Sequence, residues 1–366
     1  MLADLPITVA PDEAPAKHAV YLMTDADDRP VQLLAVKNLR ASLRNRLGEK
    51  DGRAVDLSAI VKHVHYRPVS STFEADLVWL EAARRHFPDR YAGWLGFRTA
   101  WWVHVNPDST YPRFTKTTDP THSTGVYVGP VGDKHDAQKL VHNVEALFDL
   151  CRDYGVLQKS PAGACNWKQM GRCVGPCDGT ISLERYGEVV ADAAEALASP
   201  ELAMAKLQGE MLAASGDMDF EKAAAVKARI DEIAKLRKHP FKHIAPLDRF
   251  RWLAMMPGPR KGKAKLFTAT PTTFTDVAGI IADPKQASAL LREILATPAV
   301  AGSPDTASLE RMSLFTHHQT IAKAKQEGVF VRLDELDEKA LRSAFKKVAA
   351  REVAESDDEG ATREVS

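Results

Sequence analysis

The chain has 366 residues, 45% hydrophobic and 27% charged, the make-up of an ordinary soluble globular protein of two or three domains. Its 49 basic side chains are balanced by 49 acidic ones, which excludes a polybasic nucleic-acid coat protein and leaves any DNA contact to local patches. No stretch reaches the roughly 18 apolar residues of a membrane span. Asp4, Asp12 and Glu13 precede Lys17, so the N-terminus does not read as a secretory signal, and a cytoplasmic protein without a membrane partner is expected.

Ala19-Val20-Tyr21 opens a strand that continues through Leu22-Met23, and the run from Asp25 to Pro30 supplies a hairpin turn. Beyond the next strand, Lys37, Arg40, Arg44 and Arg46 follow with no acid between them on one expected helix. Lys37, Arg40 and Arg44 share a face at i, i+3, i+7, which suits the phosphates of double-stranded DNA; a solvated helix face carries the same charges equally well. Glu74-Ala75 begins a second helix that carries Glu81. Trp101-Trp102 and Val103-His104-Val105 read as a buried strand with no binding role.

The only cysteines are Cys151, Cys165, Cys173 and Cys177, in the pattern C-x13-C-x7-C-x3-C. In a reducing cytosol, thiols clustered in one Gly/Pro-rich segment point to metal or redox chemistry rather than to disulfides. Zinc sites usually show two tight knuckles, whereas here only Cys173 and Cys177 are close. One tight pair with two remote ligands fits a 4Fe–4S cluster better, and zinc remains the alternative.

Ser182 caps an expected helix through Leu183–Leu197, and Pro200 separates it from the next. There Met204, Leu207, Met211 and Ala214 recur at helical spacing until Ser215-Gly216-Asp217 breaks the run. Phe220, Ala223, Ala224, Ile230 and Ile233 stripe the helix that follows, so an antiparallel helical hairpin is expected, its narrow apolar seam seeking a second helix pair. Packing on the chain's own core would use the same stripe.

Together these residues resemble a known family. The segment from Cys165 through Trp167, Gly171 and Cys173 to Pro176-Cys177 resembles the cysteine-rich segment of UvrC, the incision subunit of bacterial excision repair. Leu207, Met211, Ala214, Phe220-Glu221, Ala223-Ala224 and Ile230 resemble the UVR motif, with Lys227-Ala228 where Arg-Asp is usual. Gly125-Val-Tyr-Val-Gly-Pro130 and Tyr111-Pro112 match further elements in the family's order. The resemblance implies a 4Fe–4S cluster on the four cysteines. It also implies a UvrB-like partner gripped by Leu207, Met211, Ala214, Phe220, Glu221, Ala224 and Ile230.

It implies as well that the N-terminal domain is a GIY-YIG nuclease fold, but the chemistry is replaced. Lys37-Asn38-Leu39-Arg40 anchors an alignment that puts Gln32 at the second signature tyrosine, Leu34 at the glycine and Ala35 at the lysine. Ser42 stands at the helix arginine, Arg46 at the next tyrosine, and Trp79 at the metal-binding glutamate. Tyr21, Arg40 and Glu81 are remnants. Phosphodiester cleavage needs a metal-bound carboxylate, an in-line phenol or water, and a cation, so a nuclease fold without nuclease activity is expected. The rivals are a magnesium-dependent endonuclease making the 3′ incision through Tyr21, Arg40, Arg44 and Glu81, and a protein pairing with some other UVR-bearing partner, outside repair.

The C-terminal third reads as a hairpin over 246–275, with Arg260, Lys261, Lys263 and Lys265 at its turn, then helices at about Pro284–Ala296, Ser308–Glu327 and Asp337–Arg351. The expected whole is an α+β chain: a GIY-YIG-like domain (1–110), a connecting region with the cysteine cluster (111–180), a helical region with the UVR motif (181–240), an α+β region (241–350) and an acidic, disordered tail (351–366).

Overall fold

The computed structural model describes residues 2–48, 57–121, 124–236, 238–296 and 302–350, and the expected acidic tail lies outside them. The fold is α+β, and it divides into two compact units. One comprises Met1–Arg98, Arg251–Ala299 and Ile321–Ser366; the other comprises Thr99–Phe250 and Val300–Thr320.

The first unit opens with β1 (Ile7–Val9), β2 (Ala19–Thr24), β3 (Pro30–Val36), α1 (Leu39–Leu47), β4 (His63–Pro68) and α2 (Thr72–His86). The strands form an antiparallel sheet in the order β1-β4-β2-β3. Every residue of β2 is buried, as befits a central strand covered on both faces. Its odd residues, Ala19, Tyr21 and Met23, pack with Leu34, Val36 and the Leu39 and Leu43 side chains of α1. Its even residues, Val20 and Leu22, pack with Leu33 and with Ala75, Val78, Trp79 and Ala82 of α2. The β2–β3 turn closes on the Asp25 carboxylate, which accepts from the Asp27 and Arg29 amides at 2.9 Å each. Asn38 caps α1 by accepting from the Ala41 amide at 3.1 Å, so the helix starts after Lys37 rather than including it. Ser71 caps α2 in the same way.

The second unit holds β5 (Trp101–Val105), β6 (Thr115–Thr117) and β7 (Val126–Val131), then α3 (Lys134–Leu147), α4 (Tyr154–Leu157), α5 (Asn166–Gln169), α6 (Leu183–Ala198), α7 (Pro200–Gly216), α8 (Phe220–Lys235) and β8 (Ala245–Pro246). Its sheet order is β6-β5-β7-β8. Val103, Val105, Val128 and Val131 meet Leu140, Val141 and Val144 of α3, and the same core extends to Tyr186, Val190 and Ala194 of α6. Ser182 caps α6 through the Arg185 amide, Pro200 begins α7, and Asp219 caps α8 through the Lys222 amide.

In the C-terminal third, β9 (Trp252–Pro257), β10 (Ala264–Ala269), β11 (Phe274–Ile281) and α9 (Pro284–Ala296) return to the first unit. The following helix, α10 (Thr306–Thr320), belongs to the second, where Phe315 meets Phe250. The chain ends with β12 (Val329–Arg332) and α11 (Glu338–Ala349) in the first unit. Their sheet runs β11-β10-β9-β12, with Leu341, Ala344, Phe345 and Val348 of α11 packed on Leu253, Met255 and Leu266. Within that unit Phe73 of α2 sits against Phe267, Phe274 and Phe330. The helix expected to reach Glu327 stops at Thr320, and β11 and β12 are strands beyond the expected hairpin.

Candidate functional site: the cysteine loop, the hairpin and the surroundings of Tyr21

The four cysteines lie on the irregular chain between α3 and α6. Asp149, at φ 47°, turns the chain out of α3 and presents Cys151; its carbonyl accepts from the Val174 amide at 2.9 Å, tying the first cysteine's strand to the last two. Cys165 is the residue before α5, and its carbonyl accepts from the Gln169 amide. The Cys177 carbonyl accepts from the Ala162 amide at 2.6 Å. These ties bring distant cysteines together: the Cys151 thiol pairs with Cys173, the Cys165 thiol with Cys177, and Cys177 feels the charge of Cys173. Cys151, Cys173 and Cys177 are buried and Cys165 is half-buried.

The electrostatics of the loop separate the thiols. Hydrogen bonding from Cys151 lowers the Cys173 thiol to about 6, helped by the Gly175 amide, which donates to its Sγ at 3.5 Å, and by the Lys168 ammonium. Cys151 itself is raised by that pairing and by burial, and burial raises Cys177. Gly175 has φ +82°, and a Cβ there would fall 2.7–2.8 Å from the Lys168 side chain, so only glycine lets the lysine lie over this turn. Among the described residues no three His, Cys, Asp or Glu side chains close around one point as a metal cage; the thiols stand as two facing pairs. Four soft, mutually facing sulfurs with an amide directed at one of them nevertheless form a donor set that fits a thiolate-held metal group.

Beneath the loop lies a layer that no motif in the sequence announces. The Tyr186 hydroxyl accepts from the Cys151 amide at 3.1 Å, and burial raises that phenol. Arg152 lies 4.5 Å over the Trp167 ring, and Arg113 lies 3.8 Å over Tyr154. Glu145 is pushed up to about 7 by burial, with Arg152 opposing. Only the position of Tyr186 one turn after the Ser182 cap, on the apolar face of α6, could have marked it.

The N-terminal remnants do not converge. Tyr21 is fully buried on the α1 face of its sheet, its Oη 2.8 Å from Ser42 Oγ, with Arg46 also interacting with the phenol. Arg46 donates to Gln32 Oε1 at 3.2 Å. Gln32, Ser42 and Arg46 thus form a network around Tyr21. Trp79 is buried on the opposite face, with its Nε1 donating to the Leu33 carbonyl at 3.4 Å. Glu81, on the same α2 helix, pairs with Arg84 at 3.3 Å. Of the basic stripe, Lys37, Arg40 and Arg44 are exposed, although the Arg40 Nε donates to the Ala14 carbonyl at 2.8 Å, and Arg46 is turned towards Gln32.

The helices α7 and α8 form the expected antiparallel hairpin, and its residues divide into two groups. Leu207 and Ala214 are buried, Met211 is half-buried, and Ile230 packs with Leu207 and Ile233 on the unit's own core. Glu221 and Ala224 are exposed, and Phe220 is 66% exposed. Two more exposed side chains absent from the expected set lie towards the same end of the hairpin, Leu212 in the last turns of α7 at 68% and Met218 in the bend at 76% exposure. Met218, at φ 58°, and the Asp219 cap form the bend that displays them.

One comparison with known families bears directly on this geometry. Residues 100–196 match the family model of the UvrC/Cho excinuclease middle domain. The matched span runs from β5 into α6 and contains all four cysteines and Tyr186. It supports a UvrC/Cho-like family, one of excinucleases and hence related to nucleotide excision repair. No solved structure matches the chain. No helix among the described residues is long and apolar enough to cross a membrane.

Proposed function

We propose that the chain is a UvrC/Cho-like accessory factor of nucleotide excision repair that docks a UvrB-like protein through the tip of the α7–α8 hairpin and does not itself cut DNA. The observation that carries this reading is the exposure of Phe220 and Met218 at the bend and of Leu212 in the last turns of α7, while the inner seam of the same hairpin is taken up by its own unit. Large apolar side chains gathered on one exposed tip mark an interaction site. Glu221 beside them supplies a polar rim.

The four cysteines would hold a 4Fe–4S cluster, with zinc as the alternative; such a group, when bound, supplies either electron transfer or a rigid cross-link. The chain's own residues set its surroundings: Tyr186 fixes the Cys151 backbone, Gly175 directs an amide to Cys173, and Lys168 adds positive charge beside the thiolates. The first unit's nuclease-like sheet would meet double-stranded DNA through Lys37, Arg40 and Arg44.

Binding of the full chain to a purified UvrB-like protein tests the proposal. Phe220→Asp should weaken capture at least tenfold and leave the circular dichroism spectrum unchanged. A wild-type chain that fails to bind would remove the repair assignment.

A further inference from the structure

The turn between β9 and β10 and the end of α11 form one basic ridge. The turn is fixed by the Gly258 amide donating to the Lys263 carbonyl at 2.9 Å and by the Lys263 amide donating to the Arg260 carbonyl at 3.1 Å. Gly262, at φ +81°, donates its amide to the Ala349 carbonyl at 2.9 Å, which clamps the turn onto the last turn of α11. Arg260, Lys261 and Lys263 therefore stand beside Lys346 and Lys347. Among the described residues, Arg260, Lys263, Lys346 and Lys347 have no carboxylate within ion-pair distance.

Structural needs account for only part of this charge. The Gly262 amide satisfies one orphan helix carbonyl, and Lys346 and Lys347 suit the negative end of the helix dipole. The helix end asks nothing of Arg260 or Lys263. Lys265, two residues on, shows the contrasting case, since it is turned inward and consumed by Glu74.

We infer that this ridge is a contact surface for the phosphodiester backbone of double-stranded DNA, separate from Lys37, Arg40 and Arg44. Cations displayed on two clamped elements match a uniformly charged polyanion, which requires no pocket. Neither the turn nor α11 displays an exposed large apolar side chain among the described residues, so the ridge lacks the wedge that enters a lipid interface and the aromatic platform that stacks single-stranded bases. The inference stands independently of the hairpin reading.

The test is fluorescence anisotropy of a labelled duplex titrated with the full chain over a series of salt concentrations. The double variant Arg260→Gln/Lys263→Gln should bind at least tenfold more weakly, and the slope of log affinity against log salt should shrink by about 2, at about 0.9 for each phosphate no longer neutralised. Lys346→Gln/Lys347→Gln should lower the slope again, and Arg260→Lys should restore most of the affinity. An unchanged slope in both variants overturns the inference, as does a loss confined to single-stranded DNA or to flotation with phosphatidylserine vesicles. Capture of the UvrB-like protein reads the hairpin proposal separately: variants that keep capture but lose duplex binding support the ridge, and a wild-type chain that binds duplex but captures no UvrB-like protein sinks only the hairpin reading.

Discussion

The Lys265 ammonium lies 2.5 Å from the Glu74 carboxylate, joining β10 of the C-terminal sheet to α2 of the N-terminal one within the first unit. The pair is almost out of water, with Glu74 1% and Lys265 13% exposed at the side chain. Glu74 also accepts from the Ser70 amide at 2.8 Å, which fixes its orientation at the start of α2.

Removing one partner of such a pair strands the other charge in a poorly hydrated site. Lys265→Met should therefore destabilise the first unit by about 3 kcal/mol, the scale for breaking a buried ion pair. Glu74→Gln combined with Lys265→Met should cost clearly less than the two single changes added together. Urea denaturation followed by tryptophan fluorescence measures both; simple additivity would mean that the two side chains are not energetically coupled.

Protein purified under anaerobic conditions should be brown and carry iron, and Cys173→Ser should abolish the colour because that thiol is the one held most readily as thiolate. Tyr186→Phe should leave the cysteines in place but withdraw the acceptor from the Cys151 amide, so iron should dissociate faster in chelator while the initial iron content stays near wild type. Colourless protein containing zinc would replace the iron assignment and keep the four ligands.

How much of this is legible in the sequence depends on how local each signal is. Asn38, Ser71, Ser182 and Asp219 cap helices whose apolar periods are plain, so the hairpin and most helices follow from short stretches. Charge spacing alone puts Lys37 on α1, but the competing role of Asn38 as the cap leaves it outside the helix. The chain from Ala322 to Glu327 is rich in helix formers, yet α10 ends at Thr320, whose hydroxyl turns back to the Thr316 carbonyl before β12 begins. Within Phe274–Ile281, Asp276 and Gly279 interrupt the alternation that marks a strand, so β11 depends on its partner β10 rather than on its own pattern. The return of 251–299 to the N-terminal unit rests on packing such as Phe73 with Phe267, which no window along the chain can contain.

His18, at the start of β2, should make the first unit acid-sensitive. Burial lowers its pKa below the usual 6.5, with Lys37 acting in the same direction and Glu327 and Asp76 opposing. The folded state thus prefers the neutral ring. The stability this contributes is complete above the unfolded value and is lost as pH falls through 6.5 towards the folded value. His18→Gln should flatten the fall in melting temperature between pH 7 and 5 relative to wild type, and parallel curves would show that other groups set the acid limit.

Tyr21 bears on whether the chain is an accessory factor, as proposed, or an incising enzyme. Its phenol is buried, is raised by that burial, and is held by Ser42, while Glu81 is engaged by Arg84 on the helix covering the opposite face of the sheet. A metal-assisted cut needs a carboxylate and an in-line nucleophile at one point, and loss of a single stabilising group costs about 10²–10³ in rate. The full chain with magnesium or manganese should therefore leave lesion-bearing duplex intact, alone or with a UvrB-like protein. Tyr21→Phe should cost about 1 kcal/mol through the missing bond to Ser42, with no change in the nicking assay. Metal-dependent nicking by the wild type that vanishes in Glu81→Ala would instead mean that these side chains rearrange to meet on the substrate, and the accessory role would give way to an incising one.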